Sequence, residues 1–414
     1  MRLAAVVTLG VAAVGVLGAA QAPAQTVGGH TIAGCTGPTV SRQAFGKALD
    51  IYVHKDLKVY RYTLTNCQGM QVRILTYGGI IQSINVPGRD GQSADVVLGF
   101  ATLKDYINED SPPVIANGGP YFGETIGRYG NRIAKGTFHL DGHKYTLPIN
   151  NGVNTLHGGL VGFGNHVWAA SKVHGTGLAG VTMKLVSPNG DDGANVGCSC
   201  TGFPGQLTVH VTFTLNDANQ LKINYQATTD QDTVINMTNH SYFNLAGESS
   251  GSAYGQKVYI NADSYTPTDK TQIPTGQIAP VKGTPFDFTT THTIGSRINV
   301  ANKQLLIAQG YDHNWVLNTT GPQVDGLTLA AQALDPASGR QLSVYTDQPG
   351  VQFYSGNFLT GTLVGISGHI YRQTAGYTFE TQHFPNSPNQ PNFPTTELKP
   401  GQLYNTSTIF QFSG

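Results

Sequence analysis

One carboxylate, Glu380, sits inside the aromatic run GYTFETQHF, and four prolines follow it at once: Pro385, Pro388, Pro391 and Pro394. The chain has five glutamates, Glu109, Glu124, Glu248, Glu380 and Glu397, and Glu380 alone lies in such a strand-like aromatic stretch. Burial there would raise its pKa toward that of a useful general base. The competing reading is a linker, because Pro every third residue with Asn and Ser between makes an extended spacer. The terminal LYNTSTIFQF (403–412) alternates like a strand again. The Pro-rich stretch is therefore embedded between strands and is expected to be an ordered loop beside a placed carboxylate.

Four further pieces carry polar groups beside glycines or aromatics: GRYGNRIAKG (127–136), NTLHGG (154–159), TNHSYFNLAG (238–247) and GYDHNW (310–315). That mixture suits a polyol, since aromatic faces stack on sugar C–H surfaces while fixed carboxylates, amides and guanidinium groups sort hydroxyls. Singly each piece is weak, because an Arg or Asp in a loop usually caps a turn and a buried His is usually a satisfied core group. Thirteen histidines invite a metal, yet no H-E-x-x-H or H-x-H pattern occurs, and a turn separates His139 from His143. No catalytic metal is expected. The chain also lacks a G-x-S-x-G elbow and a phosphate-cradling loop ahead of a helix.

Only 12% of residues are charged, and 24 basic side chains balance 24 acidic ones. A sparse, neutral surface argues against nucleic acid and anionic lipid as partners and is compatible with neutral polar ligands. Residues 1–24 have the layout of a secretory leader: Arg2, an apolar run from Leu3 to about Ala20, then Ala22 and Ala24 in an A-x-A arrangement. Cleavage is expected after Ala24, giving a secreted or periplasmic protein that is soluble and free of the membrane once the leader is removed. Cys35, Cys67, Cys198 and Cys200 fit an oxidising compartment and structural disulfides. Three pairings are open, and the Cys198-Ser-Cys200 spacing looks too tight for an easy mutual bridge.

The elements that must position these groups are strands. LTVHVTFTL (207–215) and LKINY (221–225) alternate with period two around the turn NDANQ. Asp141-Gly142 is the pair a tight two-residue hairpin turn prefers, and 327–346 repeats the theme with a longer Pro/Gly turn. No dozen residues after the leader sustain a helical apolar period, and only short helical turns are expected, near 102–108 and 298–305. The chain reads as all-β.

Taken in order and spacing, GRYGNRIAKGTFHLDGHKYTLPINNGVNTLHGG, NHSYFNLAG, GYDHNW, GVQFYSGNF and ETQHFPNSPNQPNFP closely resemble the aldose 1-epimerase (galactose mutarotase) family. YTLTNCQGMQVRILTYGGIIQSINVPGRDG (62–91) and DVVLGF (95–100) resemble its N-terminal strands, so the likeness covers residues 45–412. The resemblance implies a single-domain β-supersandwich, here 45–414 behind an N-terminal extension at 25–44. It also implies no cofactor, and interconversion of the α and β anomers of aldohexoses such as glucose and galactose.

Carried over residue by residue, Glu380 is the base, His240 the acid and His157 a second sugar-contacting imidazole. Asn131, Arg132, Asp312 and Gln352 fall at hydroxyl-binding positions. Glu380 is then expected to be ionised and His240 protonated at working pH, with a nearby acid or carbonyl supporting the imidazolium. The chain departs from the family at Gly130, where Ala is common, and in GFGNHVW (162–168), which lacks the usual charged residue before Trp. NVGCSCTG (195–202) looks like an insertion. Two other readings stay open. A non-catalytic sugar-binding protein on the same scaffold would be marked by loss of Glu380 or His240, and both are present. A relative acting on phosphorylated hexoses would want extra Arg or Lys around the site.

Overall fold

The alternation in 207–229 becomes two ten-residue antiparallel strands, Leu207–Asn216 and Gln220–Thr229, with the apolar side chains buried on one face. The computed structural model that shows this describes residue 32, residues 34–110 and residues 119–414. The leader assigned to 1–24 lies outside the described residues. Asp141-Gly142 turns the hairpin Thr137–Leu140/His143–Thr146, with both turn residues at positive φ (49° and 75°) as such a turn requires. Short helices occupy Leu103–Asp110 and Lys303–Ala308. The second begins later than the sequence suggested, because Asn302 caps it by accepting the Gln304 N–H.

Three antiparallel sheets share one apolar core. The largest runs from Ala169–Gly175 through the 207–229 hairpin to the C-terminal strand Tyr404–Ser413 and on to Lys257–Ile260. A five-stranded sheet begins with Thr39–Asp50 and Lys55–Thr65. The third has six strands, in the order Tyr242–Phe243, Tyr377–Gln382, Gly350–Tyr354, Asp312–Val316, Ser264–Thr266 and Ala279–Pro280.

This six-stranded sheet positions the site. Its central strands are buried on both faces, but their chemistry alternates. Residues directly opposite in an antiparallel pair point the same way. The rows Asn314–Gln352–Glu380 and Asp312–Tyr354–Thr378 therefore form one polar face. The intervening rows, His313–Phe353–Phe379 and Trp315–Val351–Thr381, form the other, and Trp315, Val351, Phe353 and Phe379 join the main core. A one-residue slip of the Glu380 strand would put its carboxylate into that core, so packing fixes the register.

Two disulfides close the cysteine question: Cys35–Cys67 and Cys198–Cys200. The second corrects the expectation that this spacing resists a bridge. The two Cα atoms lie 5.1 Å apart, inside the range a disulfide spans.

Candidate active site

Glu380 is 2% exposed on the polar face of the six-stranded sheet, where Thr378 Oγ1 donates to its Oε1 at 2.9 Å. The same oxygen lies 3.6 Å from His240 Nε2. Glu380 opens into a cavity of about 770 Å³ that His157, His240, Asn131, Arg132 and Asp312 also line. The linker alternative fails here, because the carboxylate is interior. Pro385 to Pro394 continue from it as a packed loop with a single helical turn at Ser387–Asn389.

His240 follows the two-residue strand Thr238–Asn239, and its backbone N–H donates to Glu124 O. Asn239 locks the preceding turn by donating to Gly123 O at 2.9 Å. The His240 ring meets the His157 ring edge to face, with centroids 5.0 Å apart. His157 has φ 51°, and its backbone pairs with that of Asn131, itself at φ 61°. The glycine after it is required: a Cβ on Gly158 would strike the carbonyl of Gly127. Asn131 N–H donates to His157 Nδ1 at 3.1 Å, which leaves the proton of the neutral ring on Nε2. His157 thus offers a hydrogen-bond donor to a ligand.

The far wall is ionic. Arg132, 5% exposed, directs Nε to Asn151 Oδ1 (3.1 Å) and Nη2 to Gln272 Oε1 (2.7 Å), and Nη1 lies 3.6 Å from Asp312 Oδ2. Asp312 accepts from Gln352 Nε2 on Oδ1 (2.6 Å) and from Gln272 Nε2 on Oδ2 (2.9 Å). All seven residues singled out from the sequence therefore converge. Gln352 is the one turned inward onto a neighbour: it orients Asp312, and its side-chain Oε1 has no protein partner. Sequence reasoning missed Gln272 and Thr378. Thr378 stands two residues before Glu380 on one strand face, so period two could have found it. Gln272 lies in the turn of TPTDKTQIPTG, and nothing local marks it.

Electrostatics reverse the expected resting charges. Burial pushes the Glu380 pKa up to about 8, helped by the neighbouring Asp312 charge. Burial pulls the His240 pKa down to about 3, against a small opposing pull from its own backbone carbonyl. His157 is held well below the usual imidazole range by burial and then by His240 and Arg132. Between about pH 3 and pH 8 the Glu380–His240 pair thus holds one titratable proton, and it rests on the carboxyl. The sequence placed it on the imidazole, because reference values take no account of three strands of surrounding protein.

His157, His240 and Glu380 also bring ligand-capable atoms within 4.8 Å of one another. The Asn131 N–H on Nδ1 makes His157 a poor ligand, because a metal would need the lone pair of Nε2, where the proton sits.

A family model described as aldose 1-epimerase matches residues 60–411. The galactose mutarotase of Sus scrofa is 44% identical over 344 residues, 83% of this chain and 91% of its own. The aldose 1-epimerase of Escherichia coli (strain K12) is 37% identical over 352 residues, 84% of this chain and 94% of its own. A crystal structure of galactose 1-epimerase from Lactobacillus acidophilus NCFM superposes with a TM-score of 0.74 at 28% identity, covering 91% of this chain and 98% of that one.

Proposed function

The chain belongs to the aldose 1-epimerase family, and from that premise we propose that it interconverts the α and β anomers of aldohexoses, glucose and galactose among them, with Glu380 as base and His240 as acid. One observation carries the residue assignment. A buried carboxylate and a buried imidazole stand 3.6 Å apart at the floor of a cavity whose far wall is built from hydroxyl-binding groups. The anomeric hydroxyl and the ring oxygen are bonded to one carbon, so an acid and a base this close can serve both.

The reaction moves two protons and breaks one bond. Glu380 removes the proton from the anomeric hydroxyl, the C1–ring-oxygen bond opens to give the aldehyde, and His240 protonates the departing ring oxygen. Rotation about the C1–C2 bond and the reverse transfers close the ring on the other face. Glu380 goes from carboxylate to acid and His240 from imidazolium to imidazole, so the pair ends neutral. Burial makes the neutral pair the resting form, so a proton passes from Glu380 to His240 before the carboxylate acts, and ring opening returns the pair to its resting charges. His157 Nε2–H supplies a fixed donor beside the reacting atoms, and Arg132 and Asp312 hold hydroxyls remote from them.

Polarimetry of freshly dissolved α-glucose and α-galactose tests this directly, with accelerated decay to the equilibrium rotation as the expected result. Binding without acceleration would favour a sugar-binding protein instead. Export is proposed on the leader layout, supported by two disulfides that suit an oxidising compartment. The intact mass of exported protein should match a start near Gln25, and a soluble form retaining Met1 would overturn it.

A further inference from the structure

Among the described residues, Gln272 is the cavity group that hydrogen-bonds both members of the ionic wall. Its Oε1 accepts from Arg132 Nη2 at 2.7 Å, and its Nε2 donates to Asp312 Oδ2 at 2.9 Å. A primary amide meets both demands, because its oxygen accepts and its nitrogen donates. A carboxylate in its place would accept from the guanidinium but repel Asp312, and an ammonium would do the reverse. Arg132 and Asp312 themselves stand 3.6 Å apart, beyond hydrogen-bond reach, so the amide is what closes the triangle.

The backbone holds this amide in place. Gln272 adopts φ 63°, and its N–H donates to Asp269 O at 3.0 Å. Asp269 Oδ1 accepts from the N–H groups of Thr271 (2.7 Å) and Ile273 (3.2 Å), knotting the turn from inside. Outside anchors come from two different segments: Asn154 Nδ2 donates to Thr271 O at 3.0 Å, and Gln390 Nε2 donates to Pro274 O at 3.2 Å. A half-buried side chain on a turn fixed from three directions is a preorganised contact rather than a mobile surface group.

We propose that Gln272 is a specificity-determining residue of this reaction: its amide clamps Arg132 and Asp312 into one arrangement and so sets which ring hydroxyls the far wall accepts. This rests on the anomer-interconverting role argued above. The substrate class it discriminates is aldohexoses that differ in the configuration of a hydroxyl remote from C1, such as the C4 epimers glucose and galactose. A site built to pair with a hydroxyl rejects the sugar that leaves its polar groups unpaired, and the clamp decides where those groups lie.

The test measures kcat and KM for both sugars in the wild type, Gln272→Met and Gln272→Glu, with circular dichroism melts beside them. Gln272→Met keeps length and loses both hydrogen bonds. The ratio of kcat/KM between the two sugars should change by at least about fivefold, carried by KM, while kcat stays within about threefold. Gln272→Glu keeps the Arg132 contact, places a second anion beside Asp312, and should raise KM further while moving the basic limb of the pH profile upward. Either folded variant reads the ratio. An active wild type whose sugar ratio is unchanged in both variants overturns this inference and leaves the proposed function intact. An inactive wild type overturns both.

Discussion

At the Arg132–Asp312 end of the pocket, each oxygen of the carboxylate already accepts an amide N–H, and the guanidinium is spread over Asn151, Gln272 and Asp312. At the Glu380–His240 end, Thr378 Oγ1 donates to Glu380 Oε1, and Glu380 Oε2 has no hydrogen-bond partner among the described residues. Both ends are buried, yet the protein supports them differently. Fixed dipoles replace water around Arg132 and Asp312. Glu380 and His240 lack that support, and burial drives both toward neutrality. Recognition thus rests on groups held by fixed hydrogen bonds and catalysis on a pair whose charge can appear and vanish.

Removing the groups that change charge should break this contrast most severely. His240→Asn should lower kcat by roughly 10²–10⁴ with the fold retained. Glu380→Gln keeps shape but cannot take up the proton, so kcat should fall by at least about 10². Sugar affinity, read by calorimetry, should stay within about tenfold. In the wild type, kcat/KM should fall above about pH 8, where the pair loses its single proton. Residual activity of Glu380→Gln should lack that limb. Unchanged turnover in either variant would show that the acid or base lies elsewhere, with His157 the first replacement to examine.

Asp312→Asn sharpens the comparison from the other end. The Gln352 and Gln272 amides would face an amide able to accept on one atom only. The stranded donor costs about 1–3 kcal/mol, or roughly 5- to 150-fold in KM. Because the Asp312 charge helps raise Glu380, the basic limb should also move below pH 8. A limb that stays in place would separate the two ends electrostatically.

Stability should register the same difference more gently. A carboxyl whose folded pKa is about 8 stabilises the fold fully below its unfolded value of about 4.3, and that contribution drains away as pH rises through 8. Gln does not titrate. Wild type should therefore lose stability relative to Glu380→Gln as pH rises from 5 to 8, by at most about 1.4 kcal/mol per pH unit. Melts that run parallel across this range would place a charged Glu380 in the folded protein. The smallest expected effect is none: exhaustive chelation should leave turnover unchanged, and loss restored by one divalent ion would assign His157, His240 and Glu380 to a metal instead.

The parts legible in the sequence were those that period two or composition can carry. The 207–229 hairpin, the Asp141-Gly142 turn and the buried setting of Glu380 all follow from residues close together in the chain. The convergence of Asn131, His157, His240, Asp312, Gln352 and Glu380 came from family likeness, since segments hundreds of residues apart meet only across sheet registers. Gln272 was invisible for a related reason. An amide in a polar turn looks like any other until Arg132 and Asp312 arrive from elsewhere. The resting proton was misplaced because the polarity around Glu380 and His240 is a property of the assembled pocket.

The proline loop has a metrological role. Asn386, six residues past Glu380, donates its backbone N–H to Arg132 O at 2.8 Å and accepts the Ala134 N–H on Oδ1 at 3.0 Å. Ser387 N–H reaches Tyr129 Oη at 3.1 Å, and Gln390 holds the Gln272 turn. The base, the arginine and the clamp are thereby referred to one short segment, as parts on a bench are measured from one datum. Prolines narrow the conformations that segment must give up on folding. A substitution that shifts this segment would therefore be felt at the base, the arginine and the clamp together rather than at one of them.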